Sequence, residues 1–231
     1  MAVQQLEILN NTMHKDLRMR VDPGVPHPHF VMIVLSEFPA ASNVCPIFLA
    51  KDAATGAFYA AALFGFQPGE MLVELMGSGT AAFQPLDLQR QGFYTADENI
   101  AVDPAHPRFG AGAEIALFEG DGTPSNALRK VQRTIGQLAT GVKATESFIQ
   151  ELLKLDLIEP VDISLEFDDG ERLSLEGLYT VSRDNMNELG DDQIVALFRS
   201  GYLQAALTMA SSLQQVSVLA RRRNDRLTAT P

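Results

Sequence analysis

The chain has 231 residues, 46% of them hydrophobic, with one cysteine and no tryptophan. That is apolar material for an ample core, which separates the chain from disordered proteins and from small disulfide-held scaffolds. A formal net charge of −11 at pH 7 works against non-specific binding to nucleic acid or anionic lipid, since both need a surplus of Lys and Arg.

The first twenty residues, MAVQQLEILNNTMHKDLRMR, carry charges in every apolar stretch. No export signal is expected there, and residues 1–26 read as an N-terminal extension. No run approaches the roughly eighteen apolar residues of a membrane span, so membrane insertion is not expected and a cytoplasmic location is. The lone Cys45 fits a reducing compartment. Residues 30–35 form a continuous apolar run, a strand ended by Pro39. Residues 46–51 and 57–66 flank the polar connection Asp52-Ala53-Ala54-Thr55-Gly56 and predict a hairpin, with 71–75 continuing the sheet. Residues 77–108, rich in Gly, Pro and Gln, read as an irregular excursion over it.

A strand over 113–119 leads to Thr123, the expected N-cap of a helix with Pro124 at its first position and Leu128, Val131, Ile135 and Leu138 inward. Thr140-Gly141 is expected to break it, and residues 142–155 to form a second helix with Phe148, Ile149, Leu152 and Leu153 inward. Apolar alternation over 161–167 resumes at Leu173 and Leu175 after Asp168-Asp169-Gly170-Glu171, a hairpin signal. From Asp191 the period turns helical, with a hinge near Gly201 and with Phe198, Leu203, Leu207, Leu213 and Val216 over the sheet. Arg221-Arg222-Arg223 falls where a helix end favours cations, and residues 224–231 read as a frayed tail. The fold class is α+β: an antiparallel or mixed β-sheet packed by a helical hairpin and C-terminal helices, as a single domain over 27–223. Apolar positions in 203–219 continue round the helix through Ala205, Ala206, Met209, Ala210 and Val218. That implies a partner there, a second copy or another protein.

Chemistry-bearing residues are few. Glu37 follows an apolar run, and a buried carboxylate needs a partner. Arg90 is the partner chosen, either as a structural ion pair or as part of a ligand site that also takes in His29. His27-Pro28-His29, with Asp22 or Glu37 as third ligand, is a weak metal pattern, and ordinary surface histidines are the plainer reading. Cys45, between Val44 and Pro46, reads as a buried, inert thiol. Gly77-Ser78-Gly79-Thr80 lacks the lysine of a phosphate loop and reads as a flexible or ligand-covering loop. Gly120-Asp121-Gly122 is a turn rather than a calcium loop.

The wording Glu37-Phe38, Ala40-Ala41 and Pro46-Ile47-Phe48 resembles the signature of the SapC family of bacterial proteins. The resemblance continues through Asp103, Gly112, Leu117-Phe118, Gly122, Pro124-Ser125, Thr145, Phe148, Leu157-Ile158 and Pro160 to Phe198, Gly201, Leu203 and Ser212-Leu213. One departure is Gly77-Ser78-Gly79-Thr80, where the family shows Gly-x-Trp; Pro85 and Arg90 are kept. The resemblance implies a non-catalytic binding or accessory protein of a bacterial surface or nutrient-uptake system, with TonB-dependent receptors and tryptophan-halogenase-like proteins as associates. It leaves ligand and cofactor open. The alternatives are a metal-dependent enzyme using His27, His29 and Glu37, and a structural subunit of a surface layer.

Overall fold

The structure, a computed structural model, describes residues 6–21, 28–73 and 83–229. In chain order the strands are β1 (Glu7–Ile8), β2 (Arg18–Met19), β3 (Phe30–Met32), β4 (Ile47–Lys51), β5 (Phe58–Leu63), β6 (Phe93–Ala96), β7 (Asn99–Val102), β8 (Ile115–Ala116), β9 (Ile158–Glu166) and β10 (Arg172–Val181). The helices are α1 (Phe38–Ala41), α2 (Leu86–Gln89), α3 (Asn126–Lys154), α4 (Arg183–Asn187), α5 (Asp191–Ser200), α6 (Tyr202–Ser212) and α7 (Gln215–Ala229). The class is α+β with antiparallel sheets and long C-terminal helices, as expected. Contacts gather into two compact units: residues 1–26 with 86–140, and residues 27–85 with 141–231.

The first unit holds the antiparallel sheet β1-β7-β6 and the two-stranded β2-β8. Residues assigned from sequence to an extension thus supply two strands, β1 against β7 and β2 against β8. Part of the expected excursion forms regular structure as well: α2 and the β6–β7 hairpin fall within it. Their core is Phe93, Val102, Leu117, Leu128, Val131, Ile135 and Met19. The helix stripe through Leu128, Val131, Ile135 and Leu138 is buried as its spacing predicts. The helix starts later than expected, at Asn126, because the Ser125 hydroxyl, and not Thr123, accepts the Leu128 amide at 3.2 Å.

Thr140-Gly141 does not break the helix; α3 is continuous over 29 residues. Gly141 has a different purpose. A Cβ there would lie 2.6 Å from Val34 Cγ2, so the missing side chain lets Val34 pack against the helix backbone. α3 ends as a Schellman motif, with the Leu157 amide bonded to the Leu152 carbonyl and Asp156 in the left-handed conformation at φ 54°.

The second unit is built on one antiparallel sheet in the order β3-β5-β4-β10-β9. The β4–β5 and β9–β10 hairpins stand where the sequence placed them, and Gly170 takes φ +84° in the Asp-Gly turn. β3 is shorter than its apolar run: it ends at Met32, and Leu35–Glu37 make a 3-10 turn leading into α1, with Pro39 in the first helical turn. Phe38, Phe48, Phe64, Phe148, Ile47 and Leu49 are fully buried, each contributing roughly 1.5–3 kcal/mol by removal from water.

The C-terminal helices hinge at Gly201, at φ 79°, as expected. Their buried stripe is another one. Phe198 and Leu207 are 71% and 47% exposed, whereas Ala206, Met209, Ala210 and Ser212 are buried. Small residues let α6 settle closely on β10 and β4. Ser212 Oγ completes the join by accepting the Ile47 amide at 2.9 Å and donating to the Met209 carbonyl at 2.6 Å. α7 runs on to Ala229, into the tail expected to fray, and the Asn224 side chain accepts the Asp168 amide.

Candidate functional site

Three chain segments meet where α3 passes the open end of the β3–β5 pair. β3 runs out into Ile33 and Val34, β5 begins with Phe58, Tyr59 and Ala60, and α3 presents Val142, Thr145 and Ile149. Between them is a cavity of about 410 Å³. Met32, Ile33, Val34, Phe58, Ala60, Val142 and Ile149 give it an apolar wall, interrupted by Asp52, Thr145 and Glu146. The Gly141 contact sets how closely α3 approaches, and Thr145 pins the same place. Its hydroxyl accepts the Leu35 amide at 2.8 Å and donates to the Gly141 carbonyl at 2.7 Å, so the wall is rigid and the hydroxyl engaged.

Asp52 closes the β4–β5 loop as an Asx turn. Its Oδ1 accepts the Thr55 amide at 2.8 Å, the Thr55 hydroxyl at 2.9 Å and the Ala54 amide at 3.1 Å. The hydrogen bonds from Thr55 hold the carboxyl below its ordinary range. Tyr59 is held above the ordinary phenol value, first by burial and then by the Asp52 charge. It stays a neutral hydroxyl at physiological pH. Such a pocket desolvates an apolar molecule and offers it two carboxylates and a phenol in its lining.

Two other concavities are more polar or more open. One, of about 540 Å³, runs between α5, α6 and residues 42–43 with Phe198 at its lip. The other, about 630 Å³, mixes Glu159 and Asp184 with Arg183.

Glu37 is buried as expected, and its carboxylate accepts the Val34 amide at 2.9 Å, capping the 3-10 turn it belongs to. Arg90 finds Asp87 at 2.5 Å where Glu37 was expected, donates to the Phe93 carbonyl and lies over the Tyr94 ring. His29 contributes its backbone carbonyl, which accepts the Phe64 and Gly65 amides. His27, Asp22 and Gly77-Ser78-Gly79-Thr80 lie outside the described residues. Among the described residues no three His, Cys, Asp or Glu side chains gather as metal ligands would. Cys45 is fully buried and burial pushes its thiol far up, which keeps it protonated and inert.

The basic run is not at a helix end. It lies inside α7, and two of its three arginines, Arg222 and Arg223, bond to their own chain. Arg223, 7% exposed, pairs with Glu171 at 2.6 Å and Glu70 at 3.4 Å and stacks 4.2 Å over Phe167, while Arg222 donates to the Leu72 carbonyl. In the first unit the unanticipated residue is Arg108. It is buried, donates to the Gln89 and Gln91 carbonyls at 2.7 and 2.8 Å, and is drawn down to about 10 by desolvation. Asp52, Tyr59 and Glu146 were also missed as site residues. Asp52 read as loop chemistry, and nothing in local spacing ties it to a helix some ninety positions on.

No curated protein and no solved structure matches the chain. No helix among the described residues is long and apolar enough to cross a membrane. The SapC family model matches residues 9–219, which takes in β3 to β5, all of α3 and the whole wall of the cavity, and the chain accordingly belongs to the SapC family.

Proposed function

We propose that the chain is a non-catalytic binding protein, a cytoplasmic accessory component of a bacterial surface or nutrient-uptake system, and that its ligand sits in the cavity beside α3. The observation that carries this reading is the wall itself: an apolar concavity of about 410 Å³, within the size range of small-molecule sites, held open by an engaged Thr145 and a packed Gly141. The test is titration with N-phenyl-1-naphthylamine, a neutral fluorescent probe. One molecule should bind per chain, and Val142→Phe, which fills the cavity from its half-buried rim, should abolish binding while leaving the unfolding midpoint in place. Absence of binding by the wild-type chain, or unchanged binding by the variant, refutes it. Under this reading the TonB-dependent receptors and tryptophan-halogenase-like proteins implied by the resemblance are the partners to seek by co-purification.

A second copy is the occupant we propose for the α5–α6 surface. Phe198 projects at 71% exposure beside a groove lined by Leu203, Leu207, Gln204, Thr208, Ser42 and Asn43. Knob and groove on one patch suit a two-fold interface, and an uncharged lining avoids repulsion between chains of net charge −11. Light scattering should give a dimer, and a monomer with Phe198→Ser; a wild-type monomer at tens of micromolar refutes it. Met209, at 0% exposure, is not available to such a partner.

A further inference from the structure

We infer that the ligand of the α3 cavity is an apolar molecule carrying one cationic group, an alkyl- or aryl-ammonium, seated with its cation towards Asp52, Tyr59 and Glu146. The inference rests on the reading of this cavity as the ligand seat. Among the described residues the charged groups lining it are Asp52 and Glu146, both carboxylates. Apart from the engaged Thr145 hydroxyl the remaining wall is hydrocarbon and aromatic, so the lining offers a hydrophobic seat and negative charge and no cation to neutralise an anion.

Asp52 is positioned for such a role. Its three hydrogen bonds all fall on Oδ1, which fixes the carboxylate in the turn and leaves Oδ2 open. Its negative field reaches into the site, because the Asp52 charge is one cause of the raised Tyr59 phenol. Of the lining rings Phe58 is already taken, since the Lys51 ammonium lies 5.0 Å from the centroids of both Phe58 and Tyr179, which leaves the carboxylates as the groups for a ligand's cation. Lys51 is held on those rings and is not part of the cavity lining.

Three probes sharing one body test this: 4-phenylbutylamine, 4-phenylbutanol and 4-phenylbutyrate, titrated by calorimetry at low and at physiological ionic strength. The amine should bind about tenfold tighter than the alcohol at low salt, as a partly exposed charge pair allows, and the butyrate most weakly. Asp52→Asn keeps an oxygen for Thr55 and should erase most of the amine's advantage; Glu146→Gln should erase part of it. Equal affinities for amine and alcohol, or an amine preference untouched by Asp52→Asn, overturn the inference. If none of the three binds while the naphthylamine does, the inference falls alone. If the naphthylamine also fails, the reading of the cavity falls with it.

Discussion

Replacing Gly141 with alanine adds one methyl group where α3 passes closest to the chain leaving β3. Built on the existing backbone, that methyl lies 2.6 Å from Val34 Cγ2 and 2.8 Å from Val34 Cβ, about 1 Å inside the usual carbon–carbon separation. Val34 is 1% exposed and β-branched, so it has little freedom to turn aside. Overpacking of this kind costs about 1–3 kcal/mol, against roughly 1 kcal/mol gained from better helix propensity. Gly136→Ala is the control, since nothing lies within 4 Å of a Cβ at that position in the same helix; it should stabilise by about 0.5–1 kcal/mol. The two variants should therefore differ by about 1–3 kcal/mol, the size of the clash itself. Urea denaturation followed by far-ultraviolet circular dichroism measures this. Combining Gly141→Ala with Val34→Ala should show a coupling of about 1 kcal/mol or more in favour of the double variant. Probe binding should weaken in Gly141→Ala alone, because Val34, Val142 and Thr145 line the cavity. Equal stabilisation by the two alanines refutes the close approach and with it the account of why the helix carries glycine there.

Arg223→Met should destabilise the chain by about 2–3 kcal/mol, below the full figure for a buried pair because Glu171 is 38% exposed. Adding Glu70→Gln and Glu171→Gln should recover part of the loss, and a urea midpoint unmoved by Arg223→Met contradicts the clamp. His106 tests the first unit. Desolvation is the chief cause holding it below its ordinary value, and its ring nitrogen accepts the Arg108 amide at 3.1 Å. The unfolded chain therefore takes up a proton near pH 6.5 while the folded one does not, so stability should fall as pH drops below about 6.5. His106→Asn should flatten that part of the profile; a slope unchanged by the substitution would show that other groups produce it.

Local chemistry was legible in the sequence and close approaches were not. The Asp-Gly turn between β9 and β10 and the Gly201 hinge are decided by a few neighbouring backbone angles, which residue type reports directly. Gly141 carries the same letter with the opposite meaning, because its contact, Val34, lies far off in sequence. The α6 stripe was mis-phased for a related reason. Large apolar residues marked one face, whereas Ala206, Ala210 and Ser212 were selected to bring backbone against sheet. Glu37 was correctly read as buried, and one partner of its carboxylate is the amide three residues back. The cavity draws on β3, the β4–β5 loop and α3, and no periodicity joins segments so far apart.

The order in which the sheet of the second unit is assembled has a consequence during synthesis. β4 pairs with β5 on one side and with β10 on the other, Leu49 opposite Tyr179. The ribosome makes the whole of residues 86–140, which belong to the other unit, before it reaches β10. At roughly 5–20 residues per second the nascent chain carries the bare hydrogen-bonding edge of β4 for on the order of ten seconds. An unpaired edge rich in Ile, Phe and Leu recruits other strands. Chains released early, after α3 but before β10, would carry every residue of the first unit together with that open edge, and should accumulate as insoluble material while the full-length protein does not.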